Sequence, residues 1–247
     1  MKDQEEKVIL IADYGRSGQG WLSFMLCYIL NAKYIEPYDL LRGRKYIYSE
    51  NVSGLTDGNL PGRERTPYSM IIKTHEYPAS DFNLTDKVIF LTRDPRDVAV
   101  SAFYRYKVVS QQEKNQTIKS KISFLIHKFK FTSFMMTAYK WKNYFQAWRD
   151  IKYHFIRYED LWSNPKNVLK KVLDYLEVEA NERLIEDAIL KFSFEKLTGR
   201  RKGQEELQNI VFRKGVIGDY KNHFSKLDLK IFQFICGKGA KEAGYLL

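Results

Sequence analysis

Four short segments of this 247-residue chain carry the residues best suited to chemistry. The first is DYGRSGQGW, Asp13 to Trp21. A short glycine-rich loop between a strand and a helix points backbone N–H groups at an anion on the helix N-terminus. The spacing from Gly15 to Gly20 imitates the P-loop of nucleotide hydrolases. A magnesium–triphosphate site then needs Lys and Ser or Thr, and Trp21 and Leu22 stand in those places. The loop is therefore expected to hold a phosphate without that machinery, with Arg16 as a cation and Trp21 as a flat face for a base.

The second segment, MIIKTHEYP, ends a short apolar run with Lys73 and His75. Strand alternation puts residues two apart on one face, so a cation sits beside a base. Glu76, turned to the opposite face, is the second choice of base. In KVIFLTRDPRDVAVS, Arg93 offers a fork for phosphate oxygens, and Ser101, about two helical turns on, adds a hydroxyl. In FRKGVIGDYKNHFS, Arg213, Lys214 and Gly215 form a small basic corner able to close on a phosphate. Singly, each has a plainer reading: a glycine turn, a structural histidine, a solvated lysine, a basic surface loop.

The elements that must position these residues follow from the pattern of the chain. Lys7 to Asp13, Met70 to Thr74, Val88 to Thr92 and Tyr153 to Tyr158 read as short strands. Trp21 to Leu30 is apolar all round, as in a buried helix. Pro95 suits a helix's first turn, with Asp97 to Tyr106 continuing it. Ser163-Asn164-Pro165 caps a helix whose Val168, Leu169, Val172, Leu173 and Leu176 recur at spacings of three and four. Strand, polar loop and helix in repetition predict an α/β fold: one domain over 1–247, with a central parallel sheet flanked by helices and ligands at the strands' carboxyl ends. Lys107 to Lys130 is the least orderly stretch, with six lysines against one acid, Glu113.

The bulk composition narrows the setting. No apolar run approaches the roughly 18–20 residues of a transmembrane helix, and Val8 to Ala12 is too short for a signal sequence. Cys27 and Cys236 read as buried thiols in a reducing, cytoplasmic compartment, with no disulfide framework or metal-ligand spacing. The net charge of +11, from 41 basic and 30 acidic residues, favours a polyanionic partner.

In this order the segments resemble the sulfotransferases of the cytosolic and bacterial type, which use 3′-phosphoadenosine 5′-phosphosulfate (PAPS). YGRSGQGW is similar to the family's YPKSGTTW or YPRSGNTW loop, RDPRDVAVS to its 3′-phosphate segment, and KTH to its catalytic strand end. RKGVIGDYKNHFS is similar to its RKGxxGDWKNxF segment, RYEDLWSNPKNVLKKVLDYL to its YEDL strand and helix, and FSFEKL to its SFEKM stretch. The matches run from about residue 8 to 225.

The resemblance implies roles residue by residue. Arg16 and the backbone of Ser17, Gly18, Gln19 and Gly20 would grip the 5′-phosphate and the oxygen bridging to sulfur. Trp21 would stack on adenine, with Tyr158 and Phe194 completing that pocket. Arg93, Ser101, Arg213, Lys214 and Gly215 would hold the 3′-phosphate. His75 would be the base, and Lys73 a stabiliser of the sulfuryl oxygens. Gln19 and Gly20 replace two threonines common in the family, so the loop leans on backbone amides. Tyr220 replaces a frequent Trp, and the dimer segment KxxxTVxxxE is not met, which argues against a family-style dimer.

The expected reaction is in-line, metal-independent sulfuryl transfer to a hydroxyl or amine on a small-molecule, glycan, peptide or lipid acceptor, leaving PAP. Two alternatives stay open: a P-loop phosphotransferase, and a non-catalytic module for PAP or nucleic acid. The first would need the Lys and Ser or Thr that are missing after Gly20, and the second would explain the basic charge but not Lys73 and His75 together. The acceptor walls are expected over 36–68, with Tyr38, Tyr46 and Tyr48, and over 105–148. Within the latter, 105–140 reads as a lid. Ile122, Leu125, Ile126 and Phe129 share a helical face there, with lysines largely off it, which would suit peripheral contact with an anionic membrane.

Overall fold

The computed structural model describes residues 6–35, 55–63, 66–78, 85–112, 129–179, 181–206 and 212–246. Its strands are Lys7–Ala12 (β1), Lys33–Ile35 (β2), Tyr68–Thr74 (β3), Lys87–Thr92 (β4) and His154–Arg157 (β5). They form one parallel sheet in the order β2-β3-β1-β4-β5. A strand with neighbours on both edges and helices over it must be apolar throughout, and Ile9, Leu10, Ile11 and Ala12 are all buried. The helices are Gln19–Leu30 (α1), Pro95–Gln112 (α2), Lys130–Trp148 (α3), Tyr158–Ser163 (α4), Pro165–Leu176 (α5), Glu182–Lys191 (α6), Phe194–Thr198 (α7) and Lys226–Glu242 (α8). Asp219–Asn222 adds a 3-10 turn.

The chain divides into two compact units, Met1–Thr92 with Ile151–Arg200, and Arg93–Asp150 with Arg201–Leu247. The first holds the whole sheet. There α1 packs on β1 and β3, and α5 on β5. In α5 the Asn164 side chain caps the Asn167 N–H at 3.2 Å and Pro165 takes the first helical position. Its Val168, Leu169, Val172, Leu173 and Leu176 are buried, each burial stabilising by about 1.5–3 kcal/mol. In the second unit α2 and α8 both pack on α3. Phe134 of α3 stacks on Phe224 with centroids 4.3 Å apart, and Ser225 starts α8 with a capping box to Asp228.

The structure departs from the sequence reading at several element ends: β1 stops at Ala12, and β3, β4 and β5 start at Tyr68, Lys87 and His154. β5 stops at Arg157, and Tyr158 begins α4. Glu159 and Asp160 favour a helix start there, and Arg157 locks the turn by donating to Asp160 at 2.8 Å. α1 begins at Gln19, because Gly18 takes the left-handed conformation at its N-cap. α2 runs on past Tyr106 to Gln112. Tyr38, Tyr46, Tyr48, Ile122, Leu125 and Ile126 lie outside the described residues, as do 113–128 of the expected lid. Phe129 is the N-cap of α3. No described helix is long and apolar enough to cross a membrane.

Candidate active site

In the first unit the site grows from the carboxyl ends of two adjacent strands. β1 and β3 run in register, Ala12 beside Thr74, so the next residues, Asp13 and His75, emerge side by side. His75 Nδ1 lies 2.6 Å from Asp13 Oδ1 and 3.0 Å from the Asp13 backbone oxygen. Asp13 is fully buried, whereas His75 keeps about a third of its side-chain surface. The backbone oxygen accepts from Nδ1, while the carboxylate Oδ1 lies at ion-pair distance without a hydrogen bond; both favour the tautomer with its proton on Nδ1 and its lone pair on Nε2. Lys73 is the penultimate residue of β3 and half-buried, whereas His75 lies one residue past the strand end.

The loop between β1 and α1 is built from left-handed residues: φ is 105° at Gly15, 65° at Arg16 and 87° at Gly18. For Arg16 that conformation is strained, a cost of roughly 1–3 kcal/mol that clusters at functional sites. At Gly15 a Cβ would stand 3.8 Å from the His75 ring, so the loop passes directly by the imidazole. Ser17 is buried and its N–H donates to Asp13 Oδ2 at 3.3 Å, which draws that amide toward the dyad. Gln19 turns its side chain inward, donating to Ile11 O and Thr74 O. Gly18 is the N-cap of α1, and Gln19 and Gly20 begin it, so their backbone N–H groups belong to the first turn of the helix.

Trp21 meets Tyr158 edge-on, with centroids 6.3 Å apart, and Tyr158 is buried at the start of α4. Trp21 Nε1 is buried without a hydrogen-bond partner among the described residues. Phe194 is buried at the start of α7, with the Arg200 guanidinium 5.4 Å from its ring centre.

Gly18 has no tolerance for a side chain. A Cβ there would sit 2.6 Å from the Tyr158 ring, on a backbone that already disfavours L residues. Gly18→Ala is expected to destabilise by about 2–3 kcal/mol and to weaken PAP binding. Thermal melting and calorimetric titration would check both, and an unaltered melting temperature would contradict the tight loop–Tyr158 contact.

The second unit gathers the remaining predicted cations. Arg93 follows β4 in the chain and donates to Val216 O at 2.8 Å, which ties it to the segment carrying Arg213, Lys214 and Gly215. Asp97 accepts from the N–H groups of Gly218 (2.6 Å) and Tyr220 (2.9 Å). Tyr220 lies under Arg96, whose guanidinium carbon is 4.0 Å from the ring centre. Ser101 is buried on α2, and Gly215 has φ 63°. Arg213 pairs with Asp219 and, at 2.6 Å, with Glu205, while Lys214 Nζ is 3.1 Å from Asp219 Oδ1.

Asp97, Glu205 and Asp219, which hold this corner in shape, were not expected from sequence. Two of them lie inside the RDPRDVAVS and GDY motifs. Their signal was an acid beside the basic residues that the motif matches emphasised.

Burial opposes the charge on Asp219, but hydrogen bonds from Arg213, Asn222 and Lys214 and the Arg213 charge outweigh it. They hold its carboxyl well below the usual carboxylate range. A carboxylate lowered in the folded state stabilises the fold above its unfolded pKa of about 4 and loses that contribution as pH falls below it. Urea denaturation is expected to show stability falling below about pH 4, with a shallower fall in Asp219→Asn. Parallel acid limbs in the two proteins would contradict this.

The described residues thus form a parallel α/β sheet with a glycine-rich loop after its first strand. The family model for the sulfotransferase domain matches residues 6–244, and the chain belongs to the sulfotransferase family. Dog (Canis lupus familiaris) sulfotransferase 1B1 is 26% identical over 249 residues, covering 93% of this chain and 82% of that protein. Mouse (Mus musculus) sulfotransferase 1A1 is 27% identical over 240 residues, covering 88% of this chain and 79% of that protein. Among solved structures, mouse sulfotransferase SULT7A1 complexed with PAP superposes with a TM-score of 0.59 at 18% identity, covering 97% of this chain and 85% of that one. Retinol dehydratase in complex with retinol and PAP gives 0.58 at 19% identity, covering 98% and 84%. These superpositions establish the shared fold.

Proposed function

We propose that this chain transfers the sulfuryl group of PAPS to a hydroxyl or amine acceptor, with His75 as the base. The observation that carries the reading is the His75 ring beside the glycine loop, in a chain of the sulfotransferase family. Arg16 and the amides of Ser17, Gly18, Gln19 and Gly20 bind the 5′-phosphosulfate, Ser17 least because its N–H leans on Asp13. Trp21, Tyr158 and Phe194 receive the adenine. Arg93, Ser101, Arg213, Lys214 and Gly215 take the 3′-phosphate. The motif matches support both assignments, and the clustering of Arg93 with the Arg213–Gly215 segment adds to the second.

Sulfuryl transfer, like phosphoryl transfer, depends on in-line placement and charge stabilisation. His75 Nε2 takes the acceptor O–H proton as the acceptor oxygen bonds to sulfur. The bond from sulfur to the bridging oxygen breaks, and its electron pair leaves with PAP. Arg16 and Lys73 stabilise the negative charge that grows on the bridging and sulfuryl oxygens. Among the structural relatives, retinol dehydratase has been crystallised with retinol and with androsterone, which supports a small-molecule alcohol as acceptor. The buried free thiols Cys27 and Cys236 support a reducing, cytoplasmic setting; burial pushes Cys236 up to about 12.

A screen of phenols, sterols, sugars, lipids and peptides against PAPS tests the reading and identifies the acceptor. EDTA is expected to leave turnover unchanged, because PAP is a good leaving group and Trp21 and Leu22 replace the magnesium-site residues. Activity abolished by EDTA and restored by magnesium would favour the phosphotransferase instead.

A further inference from the structure

The structure assigns Asp13 as the positioning residue of His75, an inference that rests on the reading of His75 as the base. The side-chain contacts of Asp13 converge on the site, while its N–H donates to Thr74 O at 3.2 Å and so holds it beside β3. Its Oδ1 and backbone oxygen face His75 Nδ1, and its Oδ2 accepts from the Ser17 N–H inside the anion loop. A carboxylate with no solvent exposure needs such partners, because burying an unpaired charge is costly. The strand register makes the pairing obligatory: with Ala12 beside Thr74, the backbones of β1 and β3 carry Asp13 and His75 together.

Two consequences follow for the reaction. First, Asp13 holds the ring with the proton on Nδ1 and the lone pair on Nε2, the form a base requires. Second, once Nε2 has taken the acceptor proton the ring carries a positive charge, and the Asp13 carboxylate at 2.6 Å stabilises it. The carboxylate is buried behind the imidazole and acts through it. Its link to Ser17 also fixes the spacing between the base and the phosphosulfate loop, so the two reacting partners are placed by one buried group.

Asp13→Asn tests this with little change of shape, since the amide oxygen can still accept from Ser17 N–H while the amide N–H₂ faces the ring as a donor. With 15N-labelled histidine, NMR of the PAP complex is expected to show His75 as the Nδ1–H tautomer in the wild type and a shift toward Nε2–H in Asp13→Asn. His75→Ala assigns the signal. An unchanged tautomer would overturn the assignment and leave the backbone oxygen as sole orienter. In sulfate transfer from PAPS to 2-naphthol, Asp13→Asn is expected to lower kcat about 10²-fold or more with the Kd for PAP unchanged. The Asp13→Asn/His75→Ala double variant is expected to be no slower than His75→Ala alone; multiplying defects would mean that Asp13 acts independently of His75. Asp13→Ser serves if the Asn variant does not fold. Near-normal turnover in His75→Ala would sink the base reading itself, whereas a crippled His75→Ala beside a normal Asp13→Asn would sink only the present inference.

Discussion

Replacing His75 with Ala is expected to cut turnover by about 10²-fold or more while PAP affinity stays within about twofold. Base catalysis acts on the transition state, so its loss falls on kcat and spares nucleotide binding. The ring is packed beside Gly15 and anchored on Asp13. Lys73→Ala is expected to lower turnover as well, but through lost charge stabilisation, so raising the pH should not relieve it. With a phenol acceptor the His75→Ala defect should shrink at high pH, where the acceptor ionises without help. Initial rates with two acceptors at two pH values separate the roles. Near-normal turnover in His75→Ala at neutral pH would make the histidine structural and turn attention to Glu76.

Loss of nucleotide binding is expected to be largest in Arg213→Ala, by roughly 30- to 10³-fold in the Kd for PAP. Arg213 is nearly buried, and its ion pairs with Asp219 and Glu205 fix the guanidinium before any phosphate arrives. A preorganised, half-dry cation gains more from a phosphate than a mobile surface one does. Arg93→Ala and Ser101→Ala are expected to weaken binding less, each removing one donor to the phosphate. Calorimetric titration with PAP, with circular dichroism to confirm folding, measures the series. Unchanged affinity in both Arg213→Ala and Arg93→Ala would dismantle the 3′-phosphate assignment.

Much of this arrangement could be read from residue types and spacing alone. The apolar runs that became β1, β3 and β4 were visible because buried parallel strands are apolar on both faces. The cap at Asn164 with Pro165 after it placed the start of α5 correctly. What could not be read was strand register, which depends on pairing between segments far apart in sequence. Asp13 therefore looked like the polar end of a strand rather than the partner of a histidine 62 residues away. The strand expected to end at Tyr158 stops one residue short, because the following acids and the Arg157–Asp160 pair turn the chain into α4. The anchoring acids of the cationic corner escaped for a related reason. Asp97 contacts Gly218 and Tyr220 across more than a hundred residues, a proximity that no local pattern encodes.

The central claim is sulfuryl transfer from PAPS, and following the label itself tests it most directly. With [35S]PAPS and the acceptor returned by the screen, wild-type protein is expected to place the label on the acceptor, releasing one PAP per sulfated product, while His75→Ala binds PAP but transfers slowly. Tight PAP binding without transfer of label to any acceptor would contradict the account and leave a nucleotide-binding module in its place.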